Sequence, residues 1–259
     1  MERGLQWPLG IAVSSDNELF VADGGYAYSL RPGDGLELLG MLFTRGFPGW
    51  IRDVAAADAG QWIVTTANGT VARWRPAAQK HEELASGYDQ LMGVALAPGG
   101  AIVFAEYSTG RILALQGKNT YRLASGLDKP MDVAAGGDGT VYVAESAASR
   151  VVKLTDRKVQ TVVDGLKQPH GIAVFDSKLY VIDPNTKGVV ECDLAMGAHR
   201  TIASNLPVGA PPGVIPKQLG GVSGFCGPMT SMSGIAAGAD GTLYISGDAD
   251  GSILAIRAN

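Results

Sequence analysis

The sequence contains few residues of several kinds, and each scarcity excludes a class of protein. It has two cysteines, Cys192 and Cys226, which cannot form a disulfide framework and are too few for a structural zinc site. We interpret both as free thiols, with Cys192 packed as a small hydrophobic residue. The net charge is −4 and no lysine or arginine cluster is present. A nucleic-acid partner is therefore not expected.

Long hydrophobic segments are also missing. No apolar run approaches the roughly 18 residues that span a bilayer. The first residues, M-E-R-G-L-Q-W-P, lack the apolar stretch of a signal peptide. We therefore expect a soluble protein without a membrane span, and the sequence leaves its location open. The hydrophobic fraction of 46% is enough for a large core in a chain of 259 residues.

What the sequence does contain is one short pattern repeated six times: an apolar strand, a turn, and a second strand that usually ends in an acid. Clear copies begin with P-L-G-I-A-V at 8–13, P-M-D-V-A-A at 130–135 and P-H-G-I-A-V at 169–174. The glycine or aspartate in third place marks each copy, and we call it the anchor. The anchors are Gly10, Asp53, Gly93, Asp132, Gly171 and Gly234.

The spacing of the anchors predicts the fold. Successive anchors are 43, 40, 39, 39 and 63 residues apart, and each interval holds short alternating strands with Gly, Asp and Pro turns. Units of about 40 residues with four antiparallel strands are β-propeller blades. We predict an all-β fold, a single six-bladed β-propeller over 1–259 with four antiparallel strands per blade. The longest interval predicts an inserted loop at about 205–231 over one mouth of the channel.

The closing blade is predicted to be short. Only 25 residues follow Gly234 and 9 precede Gly10, which together make 34 where other blades have 39. We expect the segment from Glu2 to Trp7 to supply an abbreviated outermost strand. Two alternatives follow: a weak seam between the N- and C-termini, or a natural chain that is longer and continues beyond Met1.

The repeat units resemble a known family. P-M-D-V-A-A-G-G-D-G-T-V-Y-V-A-E-S and P-H-G-I-A-V-F-D-S-K-L-Y-V-I-D look like NHL repeats. The whole chain is similar to six-bladed NHL and gluconolactonase/regucalcin-like propellers. The resemblance implies the fold, whereas sensors, scaffolds, lactonases and lyases all use such blades.

The regucalcin-like branch implies a divalent metal held by Glu, Asn and Asp side chains. Here Leu9 stands where that branch has an acid, and His170 stands where it has an asparagine. We therefore predict no cofactor, and calcium or zinc is the alternative that the resemblance leaves open.

Strand direction predicts which residues gather at one mouth of the channel. The residues before the anchors and those that close the second strands lie at the same end, and the inserted loop enters there too. The first set is Leu9, Arg52, Met92, Met131, His170 and Ser233, and the second is Asp23, Thr66, Glu106, Glu145, Asp183 and Gly247. Because a long loop on a compact fold is commonly a lid, we predict a ligand site beneath it.

Two residues of the first set break its apolar character. Arg52 can hold a carboxylate or phosphate, and His170 can donate a hydrogen bond or move a proton near neutral pH. The alternatives are an ion pair of Arg52 with a carboxylate such as Glu106, and a hydrogen bond of His170 that fixes the inserted loop or Asp183. The other predicted ligand-binding residues are Met92, Met131, Ser233, Trp50 and Phe225.

The recurrent acids have a simpler interpretation. Asp23, Glu106, Glu145 and Asp183 occupy the same place in four blades, which favours a structural role as acceptors of backbone hydrogen bonds. Asp23 and Glu106 are weak candidates for a metal ligand.

Two functions fit these residues. The first is a binding or sensing propeller that holds a small molecule or peptide at the lidded mouth, and we favour it because no complete catalytic constellation is present. The alternative is a lactonase-type hydrolase or a lyase acting on a small carboxylated substrate. In that case His170 is the base, Asp183 or Glu145 its partner, and Arg52 the anion anchor.

Overall fold

The structure of the protein is a computed structural model that describes residues 2–31, 33–58, 60–155, 158–211, 213–214 and 217–257. Six antiparallel sheets of four strands each form the blades of a propeller, which confirms the predicted all-β fold and blade number. The described residues contain one short 3₁₀ helix, Pro76–Ala78. Within these ranges, none of the residues belongs to a helix with the length and hydropathy that crossing a membrane requires.

The strands are numbered in chain order. Blade 1 contains β2 (Pro8–Val13), β3 (Leu19–Asp23), β4 (Tyr26–Leu30) and β5 (Glu37–Met41). Blade 2 contains β6 (Ile51–Ala56), β7 (Trp62–Thr66), β8 (Val71–Arg75) and β9 (Lys80–Ala85). Blade 3 contains β10 (Leu91–Leu96), β11 (Ile102–Glu106), β12 (Arg111–Gln116) and β13 (Asn119–Ala124).

The second half of the ring repeats this arrangement. Blade 4 contains β14 (Pro130–Ala135), β15 (Val141–Glu145), β16 (Arg150–Thr155) and β17 (Lys158–Val163). Blade 5 contains β18 (Ile172–Phe175), β19 (Lys178–Asp183), β20 (Gly188–Asp193) and β21 (His199–Ala203). Blade 6 contains β22 (Ile235–Ala237), β23 (Thr242–Gly247), β24 (Ser252–Arg257) and β1 (Glu2–Arg3).

The core lies between the blades. The second strand of a blade, such as β3, β7, β11 or β15, is buried along its whole length because both of its faces pack on neighbours. Aromatic residues join blades 1 and 2, where the ring of Phe20 lies 4.9 Å from that of Trp62. The outermost strands are largely exposed, as in β9. Each blade therefore buries its apolar faces only against the next.

The ring closes at the short seam that the sequence predicts. Strand β1 has two residues and pairs antiparallel with β24, so the N-terminus supplies the outermost strand of blade 6. The N–H of Leu5 also donates to the carbonyl of Gly251 at 3.2 Å. Closure leaves no blade face open at the junction.

The anchors lie where neighbouring inner strands approach most closely. A Cβ built on Gly10 would lie 2.4 Å from Cα of Asp53, and one on Gly93 would lie 2.5 Å from Cα of Asp132. Each aspartate also links its strand to the next blade, because Asp53 accepts the N–H of Val94 at 2.7 Å. Asp132 accepts the N–H of Ile172 at 2.8 Å in the same way. Glycine is required here because any side chain would push the inner strands apart.

We expect Gly93→Ala to lower the free energy of unfolding by about 2–3 kcal/mol, because the added methyl group overlaps the backbone of the neighbouring blade. The matched control is Gly137→Ala, where a built Cβ has no atom within 4 Å. Urea denaturation of both variants checks the prediction. Equal stability of the two variants would contradict it.

Candidate functional site at the channel mouth

Four apolar residues pack together at the channel mouth, and we call them the mouth cluster: Leu9, Met92, Met131 and Met232. All four are buried, and Trp7 and Tyr107 pack against them. Three of the four were predicted from their place before an anchor. The fourth is Met232, whereas the sequence pattern predicted its neighbour Ser233. Strand β22 begins only at Ile235, so no strand register fixes which of these two residues turns inwards.

Arg52 is a buried cation beside this cluster. It is 1% exposed, and its Nη1 lies 3.8 Å from Sδ of Met92, a weak acceptor. Its Nε has no hydrogen-bond partner among the described residues. Burial lowers the pKa of Arg52 to about 10, so the guanidinium stays charged at neutral pH. The alternative partner, Glu106, instead accepts hydrogen bonds from Arg111 and Thr109.

His170 is a buried neutral imidazole with one unsatisfied nitrogen. Burial lowers its pKa to about 4, so the ring is uncharged at neutral pH. The N–H of Ser233 donates to Nδ1 at 3.4 Å. The hydrogen of the neutral ring therefore belongs on Nε2, which has no acceptor in the described part of the chain. His170 thus offers a free hydrogen-bond donor.

The acids that close the second strands hold the segments that enter the blades. Asp23 accepts the N–H of Gln6 at 2.9 Å, and Glu145 accepts the N–H of Asp128 at 2.8 Å. Asp183 accepts the N–H of Lys167 at 2.6 Å. Each of these carboxylates is almost fully buried.

The structure does not join these acids to the imidazole. No hydrogen bond links His170 to Asp183 or Glu145 within the described residues, and Glu145 is bound by Arg150 Nε at 2.7 Å. The predicted pairing of His170 as base with Asp183 or Glu145 is therefore not formed by a hydrogen bond among the described residues.

Three other predicted site residues point elsewhere. Ser233 donates its hydroxyl hydrogen to Asp248 Oδ1 at 2.7 Å. Trp50 lines a separate cavity on blade 1. Phe225 is 47% exposed and packs edge-on against Phe43, with ring centroids 5.5 Å apart.

The inserted loop reaches the blades on the far side of the ring. The N–H of Gly227 donates to the carbonyl of Ala67 in blade 2 at 3.0 Å, and Gln218 bonds to Gln90 beside blade 3 at 2.8 Å. Cys226 is buried, and its proximity slightly offsets the lowering of the Arg52 pKa that burial causes. The loop is therefore hydrogen-bonded to the segments of blades 2 and 3 and brings Cys226 near Arg52.

Asp53 and Asp132 are two buried carboxyl groups of the channel, and the sequence pattern identified them only as anchors. Burial raises the pKa of Asp53 to about 7. The pKa of Asp132 is also raised well above its ordinary value, because it is buried and lies near Asp53. The sequence does mark these two residues, because each is an aspartate in an apolar strand where the other copies have glycine.

The residues at the mouth do not fit a divalent metal. Within the described ranges, no three His, Cys, Asp or Glu side chains converge. Calcium needs six to eight oxygen ligands, whereas the mouth cluster and its neighbours offer thioethers, a guanidinium and an imidazole N–H. The carboxylates that close the second strands are already bound by backbone N–H groups. The positive charge of Arg52 also opposes a cation at this place.

Comparison with known proteins supports the fold. No protein-family model matches the sequence, and no curated protein matches it either. Solved structures do: virginiamycin B lyase from Staphylococcus aureus superposes with a TM-score of 0.67 at 14% identity, over 98% of this chain and 85% of that one. A gluconolactonase from Xanthomonas campestris gives 0.70 at 15%, over 95% and 85% of the two chains.

The chain has the fold of the NHL and gluconolactonase-like propellers. The PQQ-bound aldose sugar dehydrogenase from Streptomyces coelicolor shares it, with a TM-score of 0.70 at 12% identity over 98% of this chain and 94% of that one. These neighbours include a lactonase, a lyase and a dehydrogenase. Identities this low establish the architecture and leave the chemistry to the site itself.

The buried imidazole makes stability depend on pH in a predictable direction. The folded-state pKa of about 4 lies below the ordinary 6.5. The contribution of His170 to the free energy of unfolding is therefore fully present above pH 6.5 and is lost as the pH falls from 6.5 through 4. In His170→Phe this loss is absent, so the variant should lose about 3 kcal/mol less than the wild type across this range.

Urea unfolding at a series of pH values measures this difference. Asp53 and Asp132, whose pKa values are raised, contribute in the opposite direction, since their stabilising effect is lost as the pH rises. They are present in both proteins, so their effect cancels in the comparison. Parallel curves for wild type and variant would show that His170 is not buried as a neutral ring.

Proposed function

We propose that this propeller binds a small ligand that carries a carboxylate and an apolar body, at the channel mouth beneath the inserted loop. The observation that carries the proposal is the buried guanidinium of Arg52, which has no carboxylate partner among the described residues. A buried charge without a counter-ion costs several kcal/mol. An anionic ligand would remove this cost.

The surroundings of Arg52 support the same ligand class. The mouth cluster offers an apolar wall of one leucine and three methionines, and methionine side chains adapt to irregular shapes. Ligand sites are commonly apolar with a few placed polar groups. The guanidinium can hold both carboxylate oxygens.

His170 acts in this proposal as a hydrogen-bond donor. Its Nδ1 is already bound by the N–H of Ser233, so Nε2–H is the group available to a ligand oxygen. A buried donor without an acceptor costs about 1–3 kcal/mol. A ligand oxygen at Nε2 would recover this amount.

Our second candidate function is a lactonase-type hydrolase or a lyase that acts on a small carboxylated substrate. It is favoured by the neutral state of His170 at neutral pH and by the fold shared with a lactonase and a lyase. For His170 to act as a base, the ring must first release the N–H of Ser233. Turnover of lactones that is lost in His170→Gln would support this candidate.

Arg52→Met should abolish carboxylate binding and raise the melting temperature by about 3–8 °C, because it replaces an uncompensated buried charge with an apolar side chain. Calorimetric titration with octanoate and 4-phenylbutyrate, and with their primary amides, measures the binding. The wild type should bind the acids at least tenfold more tightly than the amides.

The control is Arg73→Met in the same blade, which removes a partly exposed arginine that lies 3.8 Å from Glu82. This variant should bind like the wild type. If Arg52→Met destabilises the protein, or binds the acids as the wild type does, the guanidinium has a structural role and the proposed function is wrong.

Opening the inserted loop should speed ligand entry. In Gly227→Ala the added Cβ would lie 2.2 Å from the carbonyl oxygen of Ala67, whereas at Gly220 nothing lies within 4 Å. We expect Gly227→Ala to raise the association rate at least tenfold and Gly220→Ala to leave it unchanged. Stopped-flow tryptophan fluorescence measures the rate, and equal rates for the two variants would exclude a lid.

A further inference from the structure

Blade 1 carries a cavity that the channel-mouth site does not use. Its volume is about 270 Å³, and its lining includes Trp7, Asp23, Tyr26, Leu42, Phe43 and Trp50. Four of these side chains are aromatic. One is a carboxylate that is 1% exposed. An apolar cavity with one buried charge is the form of a site selective for an ion of the opposite sign.

The corresponding carboxylates in two other blades are bound by an arginine of the same blade. Glu106 lies opposite Arg111 in the strand register of blade 3, and Glu145 lies opposite Arg150 in blade 4. Both pairs form ion pairs, with Nε of Arg150 at 2.7 Å from Glu145 Oε2. In each case one carboxylate oxygen holds a backbone N–H and the other holds the guanidinium.

Blade 1 keeps the acid and lacks the arginine. The residue opposite Asp23 is Tyr26, and no lysine or arginine side chain described in the structure pairs with Asp23. The turn between the two strands has two residues, Gly24 and Gly25, where blades 3 and 4 have four. The shorter turn leaves open the space at which the cavity lies.

In blade 5 the aspartate also lacks an arginine opposite it, but other donors of the same blade take the place of the guanidinium. Asp183 lies opposite Gly188, but its four-residue turn supplies backbone donors instead. The N–H groups of Asn185 and Thr186 bond to Asp183 Oδ1 at 3.1 and 3.4 Å. Asp23 accepts only the N–H groups of Gln6 and Trp7 from the described residues.

The walls of the cavity suit a planar cation. Guanidinium groups stack on aromatic faces and pair with carboxylates through parallel hydrogen bonds. Phe43 is 82% exposed and has a φ of +72°, a conformation that bulky residues rarely adopt. Such strain is typical of binding sites. The backbone conformation of Phe43 places its aromatic ring at the rim of the cavity.

We propose that the blade 1 cavity binds the guanidinium group of an external ligand, with Asp23 as counter-ion and Trp7, Tyr26, Phe43 and Trp50 as walls. The ligand takes the place that Arg111 and Arg150 fill in blades 3 and 4. This site is at a different place from the carboxylate site at Arg52, although Trp7 borders both.

The decisive variant is Tyr26→Arg, which restores the arginine that blades 3 and 4 carry and so fills the cavity from within. Calorimetric titration with N-acetyl-arginine amide should show binding by the wild type and at least a tenfold loss in Tyr26→Arg. N-acetyl-citrulline amide, a neutral analogue of similar shape, should bind the wild type at least tenfold more weakly. The variant should melt no lower than the wild type, since the introduced guanidinium would pair with Asp23.

The control variant is Tyr121→Arg, which makes the same change at an exposed position of β13 and should bind like the wild type. Arg52→Met should also retain arginine-amide binding, so failure of the carboxylate site and failure of this one are distinguishable. The proposal is wrong if the citrulline amide binds as tightly as the arginine amide, or if Tyr26→Arg binds like the wild type.

A blocked Gly-Arg-Gly tripeptide separates the two sources of a guanidinium. Affinity equal to that of N-acetyl-arginine amide assigns the cavity to an arginine side chain of a peptide. A loss of tenfold or more assigns it to a small molecule. Either result upholds a guanidinium site.

Discussion

The close approach of the six inner strands is the constraint on which the rest of the structure depends. At Gly10 and Gly93 the neighbouring backbone leaves no room for a Cβ atom, and the carboxyls of Asp53 and Asp132 fasten one strand to the next. Because every inner strand has the same orientation, the residues before the anchors share one mouth. Arg52 is therefore buried by its position in the ring.

This burial leaves polar groups that the protein itself does not satisfy. Nε of Arg52 and Nε2 of His170 are without partners among the described residues, although almost every buried polar group in proteins has one. Such groups lower stability, and proteins keep them chiefly where function requires them. A propeller tolerates this cost because most of its core lies between the blades, away from the channel.

Repetition makes the exceptions informative. The acid at the end of the second strand is held by an arginine in blades 3 and 4 and by turn N–H groups in blade 5. In blade 1 the turn is two residues shorter and a tyrosine stands opposite the acid. The acid at this position therefore stabilises the turn in blades 3, 4 and 5, whereas in blade 1 it borders a cavity. Comparison with blades 3 and 4 indicates that the group missing from blade 1 is a guanidinium.

The amino-acid sequence was sufficient to predict the number of blades, the short closing strand and the position of Arg52 and His170 before their anchors, because alternation and a repeat of about 40 residues are local signals. Contacts in three dimensions were needed to show that Met232 replaces Ser233 in the mouth cluster and that Trp50 belongs to a cavity on blade 1. The same contacts determine which donors the acids accept. These outcomes depend on the packing of one blade on the next and on the path of a long loop, for which neighbouring residues in the chain carry no signal.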